Sequence, residues 1–339
     1  MSIKDIAKLA GVSPSTVSRV VNGGDTSAAS QQTRERIWDA VRVLGYMPNQ
    51  NARSLRQPQS QPSRQVRDID CVYARVAGPM IDPFFTALMH AVEVESLARG
   101  YNLRYQYSIA DLESGAFICT HSNMDAAIVL GRIDDATIQL LRGLYKHLIC
   151  ASLQESDLPV DQVISSGYQA ASNCVNYLHS LGHRKICYLG EIENEQRYLG
   201  YVDAMREQGN EDTHQYVAEA LFSPSGGYDA VNRLLERGQS FTAILCANDM
   251  LAVGAMKALR EHKLYIPRDV SLIGINDMET VRYLDPMLTT VNIPLEEMGK
   301  HTAKLLIDRI EGGHKLPVRM MIPNALIRRD SCALPHSNA

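Results

Sequence analysis

A short segment near the N-terminus carries small polar side chains and a single guanidinium at helical spacing. In residues 11–23 (GVSPSTVSRVVNG), the face predicted to point outward comprises Pro14, Ser15, Thr16, Ser18 and Arg19. So small a face can enter the major groove of DNA, where Arg19 could pair bidentately with a guanine while the hydroxyls hold phosphates. A helical hairpin with a solvated face has the same spacing, so the segment alone leaves both interpretations open.

Three helices are predicted to position this face. Ser2 and Ser13 are N-cap residues, and Gly11 ends the first helix because glycine tolerates the left-handed conformation. Pro14 opens the second helix, where a missing N–H costs nothing. Ser30 caps a third helix. Two helices joined by a tight glycine-containing turn and followed by a third form a helix-turn-helix.

Charge is distributed unevenly along the chain. Residues 1–67 contain ten Lys and Arg against four Asp and Glu, a charge of +6. The whole chain contains 34 Lys and Arg and 38 Asp and Glu, so the remaining residues contain 24 basic and 34 acidic side chains, a charge of −10. A basic N-terminal region on an acidic body favours binding to a polyanion, although an ordinary fluctuation of surface charge would look the same.

Several classes of protein are disfavoured by what the sequence lacks. Its seven cysteines are scattered and form no C-x-x-C pair, which predicts reduced thiols and neither a disulfide framework nor a zinc site. No nucleophile–base pattern, metal cluster or glycine-rich phosphate loop occurs, so we expect no enzyme, metal or cofactor. The charged N-terminus is unlike a signal peptide, and no apolar run approaches the roughly 20 residues that span a membrane. These features predict a cytoplasmic protein.

From residue 69 onward, apolar strand-like runs alternate with helical patterns in two series. This rhythm predicts parallel sheets covered by helices, arranged as two lobes. Ligands of such sheets bind beyond the carboxyl ends of the strands. Amides, carboxylates, a guanidinium and aromatic faces there would suit a sugar, although each residue alone could be a helix cap. The candidates selected by this rule are Asp82, Pro83, Phe84, Phe85, Arg197, Asn248, Asp249, Asn276 and Asp277.

The sequence resembles the lactose/galactose (LacI/GalR) repressor family of bacterial transcription regulators. The family's DNA-binding head is matched by IKDIAKLAGVSPSTVSRVVNG and TRERIWDAVRVLGYMPNQNARSL. Its ligand-binding core is matched by DPFF, LGHRKICYLG, CANDMLAVGAMKAL and VSLIGIND. The resemblance implies a small all-α helix-turn-helix head plus an α/β two-lobe body like that of periplasmic sugar-binding proteins.

The resemblance also implies domain boundaries. The head is expected at residues 1–46, and the hinge helix with its linker at 47–68. The effector-binding and dimerisation domain is expected at 69–332, and the tail at 333–339. Each lobe is expected to combine two segments, about 69–163 with 293–322 and about 164–292 with 323–332. The C-terminal CALPHSNA has no leucine heptads, so we predict a homodimer rather than a tetramer.

DNA contacts follow from the same resemblance. Base readers and phosphate-contacting positions of the head correspond to Ser13, Pro14, Ser15, Thr16, Ser18, Arg19 and Asn22, and the segment beyond the third helix contributes Tyr46 and Asn49. NARSLRQ (51–57) resembles the hinge helix, where Ala52 lies and Leu55 wedges into the minor groove. A leucine between arginines suits such a wedge, although a disordered linker could hold the same residues.

For the body, the resemblance implies which side chains contact an effector. Phe84 falls on an aromatic wall position, and Arg197, Asn248 and Asn276 fall on effector-contacting positions. Asn276 stands where many members have Asp, which implies altered selectivity for hydroxyl groups. His183 is expected to be structural rather than a ligand.

These observations predict a homodimeric regulator of a pseudo-palindromic double-stranded DNA operator, because protein two-fold symmetry is mirrored in the DNA. The short stretch before DAAIVLG, together with NDMETVRYLDPMLTTV, resembles the galactose and β-galactoside branch. We therefore expect a repressor of sugar utilisation genes that leaves its operator when a sugar binds between the lobes. A purine- or nucleoside-responsive corepressor is the alternative within the family. The head argues against an exported sugar-binding protein.

Overall fold

In a computed structural model, the protein forms two compact units, Met1–Gln65 and Val66–Ala339. The residues that the structure describes are 3–21, 30, 32–34, 36–37, 40, 67–74, 82–108, 125–210 and 212–335. Ser18 and Arg19 are described by their backbone alone. The predicted DNA contacts Asn22, Tyr46, Asn49, Ala52 and Leu55 lie outside the described residues, as does the NARSLRQ segment.

The first unit begins with two short helices, α1 (Ile3–Ala10) and α2 (Pro14–Val21). Further helical residues follow at 32–34 and 36–37. Apolar side chains at helical spacing form one small core, which comprises Ile6, Ala7, Ala10, Val17, Ile37 and Ala40. Burial of one face on each helix leaves the other face to solvent, as the periodicity of the sequence predicts.

The residues at the ends of these helices cap or terminate them as predicted. Gly11 adopts the left-handed conformation with a φ of +65°. Ser13 caps α2, and its Oγ accepts a hydrogen bond from the Thr16 amide at 3.1 Å. Ser30 caps the following helical segment by accepting from the Thr33 amide at 3.3 Å. Each cap satisfies an amide that has no partner within its helix.

The second unit is built from two sheets and the helices that cover them. Its strands are β1 (Arg67–Tyr73), β2 (Tyr101–Ser108), β3 (Ala126–Leu130), β4 (His147–Ser152), β5 (Asp161–Ile164), β6 (Ile186–Gly190), β7 (Val217–Glu219), β8 (Ala243–Cys246), β9 (Ser271–Asn276), β10 (Thr289–Asn292), β11 (Arg319–Met321) and β12 (Ala325–Ile327). Its α-helices are α3 (Pro83–Ala98), α4 (Asp135–Leu144), α5 (Gly167–Ser180), α6 (Gln196–Glu207), α7 (Pro224–Glu236), α8 (Asp249–Glu261) and α9 (Leu295–Ile310). Short 3₁₀ turns lie at His214–Tyr216 and Glu279–Tyr283.

Both sheets are doubly wound. The first has the strand order β11-β5-β4-β3-β1-β2, and the second has β12-β10-β9-β8-β6-β7. Their pairings are parallel except for β10 with β12. The chain reverses its direction across the sheet at β1 and β3 in the first lobe and at β6 and β8 in the second. Such switch points open a crevice at the carboxyl ends of the strands.

The central strands are buried on both faces, which explains their unbroken apolar runs. Every residue of β3, β6 and β9 is buried. Parallel strands covered by helices on both sides lack the polar–apolar alternation of a half-exposed sheet. Helix α9 returns to the first lobe and packs against α3 and β4.

Three segments carry the chain between the two sheets, at residues 164–167, 292–295 and 321–325. Hydrogen bonds join the first of these segments to the third. The Ile322 amide donates to the Ile164 carbonyl at 2.7 Å, and the Asn324 side-chain amide donates to the Ser166 carbonyl at 3.0 Å. These three segments are the covalent connections between the two lobes.

His183 has the structural position that the sequence predicts for it. It is buried in the second lobe, where its ring nitrogens lie 2.9 Å from the Thr242 hydroxyl and 3.0 Å from the Ser271 hydroxyl. Burial lowers its pKa. None of the helices in the described part of the chain is both long enough and apolar enough to cross a membrane.

Candidate functional site

A cavity of about 250 Å³ lies between the two lobes. Phe84, Arg197, Asn248 and Asn276 all line it, so the structure brings together the four effector residues predicted from the sequence. The remaining lining residues are Asp82, Phe85, Gly131, Arg132, Ser152, Leu153, Gln154, Glu191, Glu195, Leu221, Phe222 and Ser223. These residues follow the carboxyl ends of β1, β3, β4, β6, β7, β8 and β9, where switch-point topology places a ligand site.

An aromatic wall comes from the first lobe. The Asp82 carboxylate caps α3 by accepting from the Phe84 amide at 2.9 Å, which fixes the start of the helix at the cavity. The rings of Phe84 and Phe85 meet edge to face with centroids 5.3 Å apart. A Cβ at Gly131, whose φ is +104°, would lie 3.1 Å from the Phe85 ring, so a glycine suits this position.

A buried ion pair forms the second-lobe side. Nε and Nη2 of Arg197 each donate to the Glu195 carboxylate at 2.8 Å, and Nη1 donates to the Ala247 carbonyl at 2.8 Å. Burial alone would raise the pKa of Glu195, but the guanidiniums of Arg197 and Arg132 hold it at about 2. The Arg197 guanidinium also stacks 4.4 Å from the Phe222 ring centroid. Glu195 therefore stays ionised and orients Arg197 within the cavity wall.

The two asparagines present amide groups to the cavity. Asn248 is the N-cap of α8, and its Oδ1 accepts from the Leu251 amide at 2.9 Å. Because its acceptor is used by the cap, Asn248 offers its N–H donors to the cavity. Asn276, with a φ of +132°, is 5% exposed, and its Oδ1 has no hydrogen-bond partner among the described residues. A buried carbonyl oxygen without a partner costs about 1–3 kcal/mol.

Asp249 and Asp277, two other candidates from the sequence, do not line the cavity. Asp249 is fully buried and accepts from the Thr290 hydroxyl at 2.7 Å and from the Met278 amide at 2.8 Å. Burial raises its pKa to about 6. Asp277 pairs with Arg329 at 2.5 Å. Both carboxylates brace the turn that carries Asn276, and Pro83 likewise lies outside the lining.

Several lining residues were not among the candidates predicted from the sequence, although they lie at strand ends. Arg132 follows β3 by two residues, and Glu191 follows β6 directly. Phe222 comes three residues after β7. Their positions at strand ends were available in the sequence, but Arg132 and Glu191 pair across the lobes and Phe222 packs against Arg197 of α6. Among the described residues, no group of three or more His, Cys, Asp or Glu is placed to hold a metal.

In the head, the beginning of α2 is exposed. The side chains of Ser13, Pro14 and Ser15 are exposed, and Thr16 is half-buried. The Ser13 hydroxyl lies 2.7 Å from that of Ser15 and 2.8 Å from that of Thr16. The structure thus groups the hydroxyls of three predicted DNA-contacting residues at the beginning of α2.

Comparison with known proteins identifies the family. The model described as "Bacterial regulatory proteins, lacI family" matches residues 2–49, and that described as "Periplasmic binding protein-like domain" matches residues 175–332. The HTH-type transcriptional repressor CytR of Escherichia coli (strain K12) is 31% identical, over 98% of this chain and 97% of the relative. The chain belongs to the LacI family. A second LacI family relative, the repressor PurR of Mannheimia succiniciproducens, is 30% identical over 97% of this chain and 98% of its own.

Solved structures of LacI family proteins share the architecture. A complex of the transcriptional regulator CelR with cellobiose has a TM-score of 0.69 and 26% identity, and the match covers 98% of this chain and 99% of that one. The lac repressor dimer bound to operator and the anti-inducer ONPF has a TM-score of 0.71 at 22% identity, over 98% and 99% of the two chains. The predicted fold class, a helix-turn-helix head with a two-lobe body, is confirmed.

Membership of the LacI family establishes what kind of protein this is. It is a DNA-binding transcriptional repressor with a ligand-binding domain, and it is not an enzyme. The relatives named above are CytR and PurR, so the predicted placement in the galactose branch is not confirmed.

Proposed function

We propose that the chain is a homodimeric, cytoplasmic repressor that leaves a pseudo-palindromic operator when a small neutral sugar binds in the cavity. The domain boundaries predicted after residues 46, 68 and 332 belong to this proposal, as do the DNA contacts predicted for the head and hinge. Phe84, Arg197, Asn248 and Asn276 are the proposed effector contacts. The ligand shifts operator affinity only as far as it binds the two states of the repressor differently.

The unpartnered Oδ1 of Asn276 is the observation that carries the proposal. Asn276 supplies an acceptor and Asn248 supplies donors at the same cavity. A sugar hydroxyl both donates and accepts, so the pair of amides suits a ligand with several hydroxyl groups. Phe84 and Phe222 line the same space and offer ring faces on which a sugar ring can pack.

Charge favours a neutral ligand. The cavity is lined by three carboxylates, from Asp82, Glu191 and Glu195, and by two guanidiniums, from Arg132 and Arg197. Both guanidiniums already pair with carboxylates. A phosphorylated ligand would therefore enter a lining of net negative charge and would have to displace an existing ion pair, which disfavours sugar phosphates and nucleotides.

A LacI family relative supports a sugar as the ligand class. CelR is similar over nearly the whole chain and is solved with the disaccharide cellobiose. Galactose and β-galactosides are the first sugars to test, on the strength of the segments that resemble that branch. Cellobiose and ribose are the next.

A nucleoside or purine is the second candidate, with the ligand acting as a corepressor. Phenylalanine rings can stack on a nucleobase, and the Asn276 amide can pair with its donor–acceptor edge. The relatives CytR and PurR motivate this test. The sign of the effect separates the candidates, because a corepressor tightens operator binding whereas an inducer weakens it.

Fluorescence anisotropy of the full chain on its own upstream DNA tests the proposal at fixed salt concentration. The ligand panel comprises galactose, lactose, cellobiose, ribose, adenosine, cytidine and hypoxanthine. Weaker operator binding with a neutral sugar supports the proposal. Tighter binding with a nucleoside or purine supports the second candidate, and no response to any of these compounds would overturn both.

A further inference from the structure

Charged side chains of alternating sign connect the two lobes at the cavity. The guanidinium of Arg132, which follows β3 in the first lobe, lies 3.3 Å from Glu191 and 3.6 Å from Glu195 in the second. Glu195 pairs in turn with Arg197, which also interacts with the first-lobe carboxylate of Asp82. The series Asp82–Arg197–Glu195–Arg132–Glu191 therefore passes back and forth between the lobes.

Arg132 binds second-lobe backbone as well as side chains. Its Nη1 donates to the Glu193 carbonyl at 3.0 Å and to the Asn194 carbonyl at 2.5 Å. Gln154, from the same lobe as Arg132, donates to the Asn194 side-chain oxygen at 3.1 Å. A guanidinium presents five N–H donors in a rigid fork, so one side chain can fix the whole 191–195 loop.

We propose that Arg132 is a positioning residue that latches the 191–195 loop over the cavity and thereby slows escape of the bound ligand. The effect on the ligand rests on the proposed function, whereas the latch itself does not. The loop carries Glu191 and leads into Glu195 and Arg197, so its position sets the second-lobe wall of the cavity. Release of the loop opens that wall without disturbing either lobe's core.

The geometry favours a latch over a permanent structural bond. Arg132 and Glu191 remain about one-fifth exposed, so water can replace their contacts when the lobes separate. Partly exposed ion pairs of this kind contribute little to overall stability. Lysine at position 132 could pair with one carboxylate, but its single ammonium lacks the planar fork that spans two carbonyls and a carboxylate.

Hydrogen exchange of the full chain without added ligand tests the latch directly. The Arg197 and Leu199 amides donate to the Glu195 carboxylate and carbonyl. Arg132→Gln is expected to raise the exchange rate of these two amides at least tenfold, with Arg132→Lys intermediate. Exchange in α7 serves as the internal reference and is expected to be unchanged. Arg142→Gln is the matched control, because Arg142 is an exposed arginine of the same lobe. Unchanged exchange of the Arg197 and Leu199 amides in Arg132→Gln would overturn the latch.

A second variant keeps the test decisive if Arg132→Gln does not fold. Glu191→Gln removes one carboxylate charge that faces the guanidinium and leaves the backbone carbonyls in place. It is expected to raise exchange of the same two amides by a smaller factor, about threefold. Exchange equal to that of the wild type in Glu191→Gln would also contradict the latch.

Calorimetric titration with cellobiose, galactose, ribose and cytidine then separates the latch from the proposed function. For any of these that binds the wild type, Arg132→Gln is expected to weaken binding about tenfold with no change in thermal midpoint. Faster loop exchange with unchanged affinity would overturn the positioning role. If the wild type binds none of the four, the proposed function fails, and the exchange experiment still decides whether the latch exists.

Discussion

The two lobes contribute different chemistry to the same cavity. The first lobe supplies rings, Phe84 and Phe85, and reaches across with Arg132. The second supplies amides, a buried ion pair and a further ring, Phe222, and its buried Asp249 braces the turn that carries Asn276. A polar wall that is fixed before a ligand arrives can select hydroxyl patterns, because its donors and acceptors need no reordering. We expect the first-lobe wall to add apolar contact and closure, which would raise affinity with less selectivity.

The largest expected effect concerns the ion pair of the second lobe. Glu195→Gln leaves the buried Arg197 guanidinium without the carboxylate to which it is hydrogen-bonded. Such a loss costs about 3–5 kcal/mol in the free energy of unfolding. Urea unfolding followed by far-ultraviolet circular dichroism measures it. The exposed pair Lys257–Glu261 supplies the control, since Glu261→Gln is expected to be nearly neutral. Equal effects in the two variants would show that the buried pair has no special role.

The buried carboxylate beneath Asn276 makes a prediction about pH. The folded-state pKa of Asp249 is raised to about 6, above its unfolded value of 3.8. The folded state therefore holds a proton more tightly, so this contribution to stability is present below pH 3.8 and is lost as the pH rises to 6. Over this pH interval the free energy of unfolding falls by about 3 kcal/mol.

The comparison of wild type with Asp249→Asn isolates this contribution. His183, whose pKa is lowered by burial, changes stability in the opposite direction as the pH falls below 6.5 and is common to both proteins. The difference in unfolding free energy between the two proteins should change with pH between 4 and 6. A difference that stays constant over that interval would contradict the raised pKa.

Removal of the unpartnered acceptor should abolish most ligand binding. Asn276→Ala is expected to weaken binding of the cognate neutral ligand about 100-fold. A site built to hydrogen-bond a ligand loses much of its affinity when one of the two bonded groups is missing. Calorimetric titration measures the change. Asn102→Ala, at an exposed position of β2, is the matched control and should bind as the wild type does. A loss below threefold in Asn276→Ala would remove Asn276 from the site.

The first-lobe wall should matter less. Phe84→Leu keeps an apolar side chain but removes the ring face, and we expect about tenfold weaker binding from the lost stacking. The variant should lower affinity for several related ligands by a similar factor, whereas Asn276→Ala should change their ranking. If Phe84→Leu changes the ranking instead, then selectivity lies in the first lobe and the contrast between the lobes is reversed.

Local signals in the sequence predicted much of the fold and part of the site. Gly11, Ser13 and Ser30 end or begin helices through their own backbone and side chains, so short-range patterns sufficed. Strand ends identified Asn248 and Asn276 because topology alone brings strand ends together.

The remainder of the site depended on tertiary structure. Asp249 is adjacent to Asn248, yet it points into the protein because successive residues of a helix are rotated by about 100°. The role of Arg132 was not visible in the sequence, since its acceptors lie roughly 60 residues away on the other lobe. Contacts across a closed cleft have no signature in local periodicity.

The most direct test of the account is operator release measured in parallel for the wild type and Asn276→Ala. Each protein is bound to labelled upstream DNA and titrated with the neutral sugars of the panel while anisotropy is followed. We predict that one sugar releases the wild type and that the Asn276→Ala variant, bound to the same DNA with the same affinity, needs about 100-fold more of it. Release of both proteins at the same sugar concentration would contradict control of the operator through this cavity.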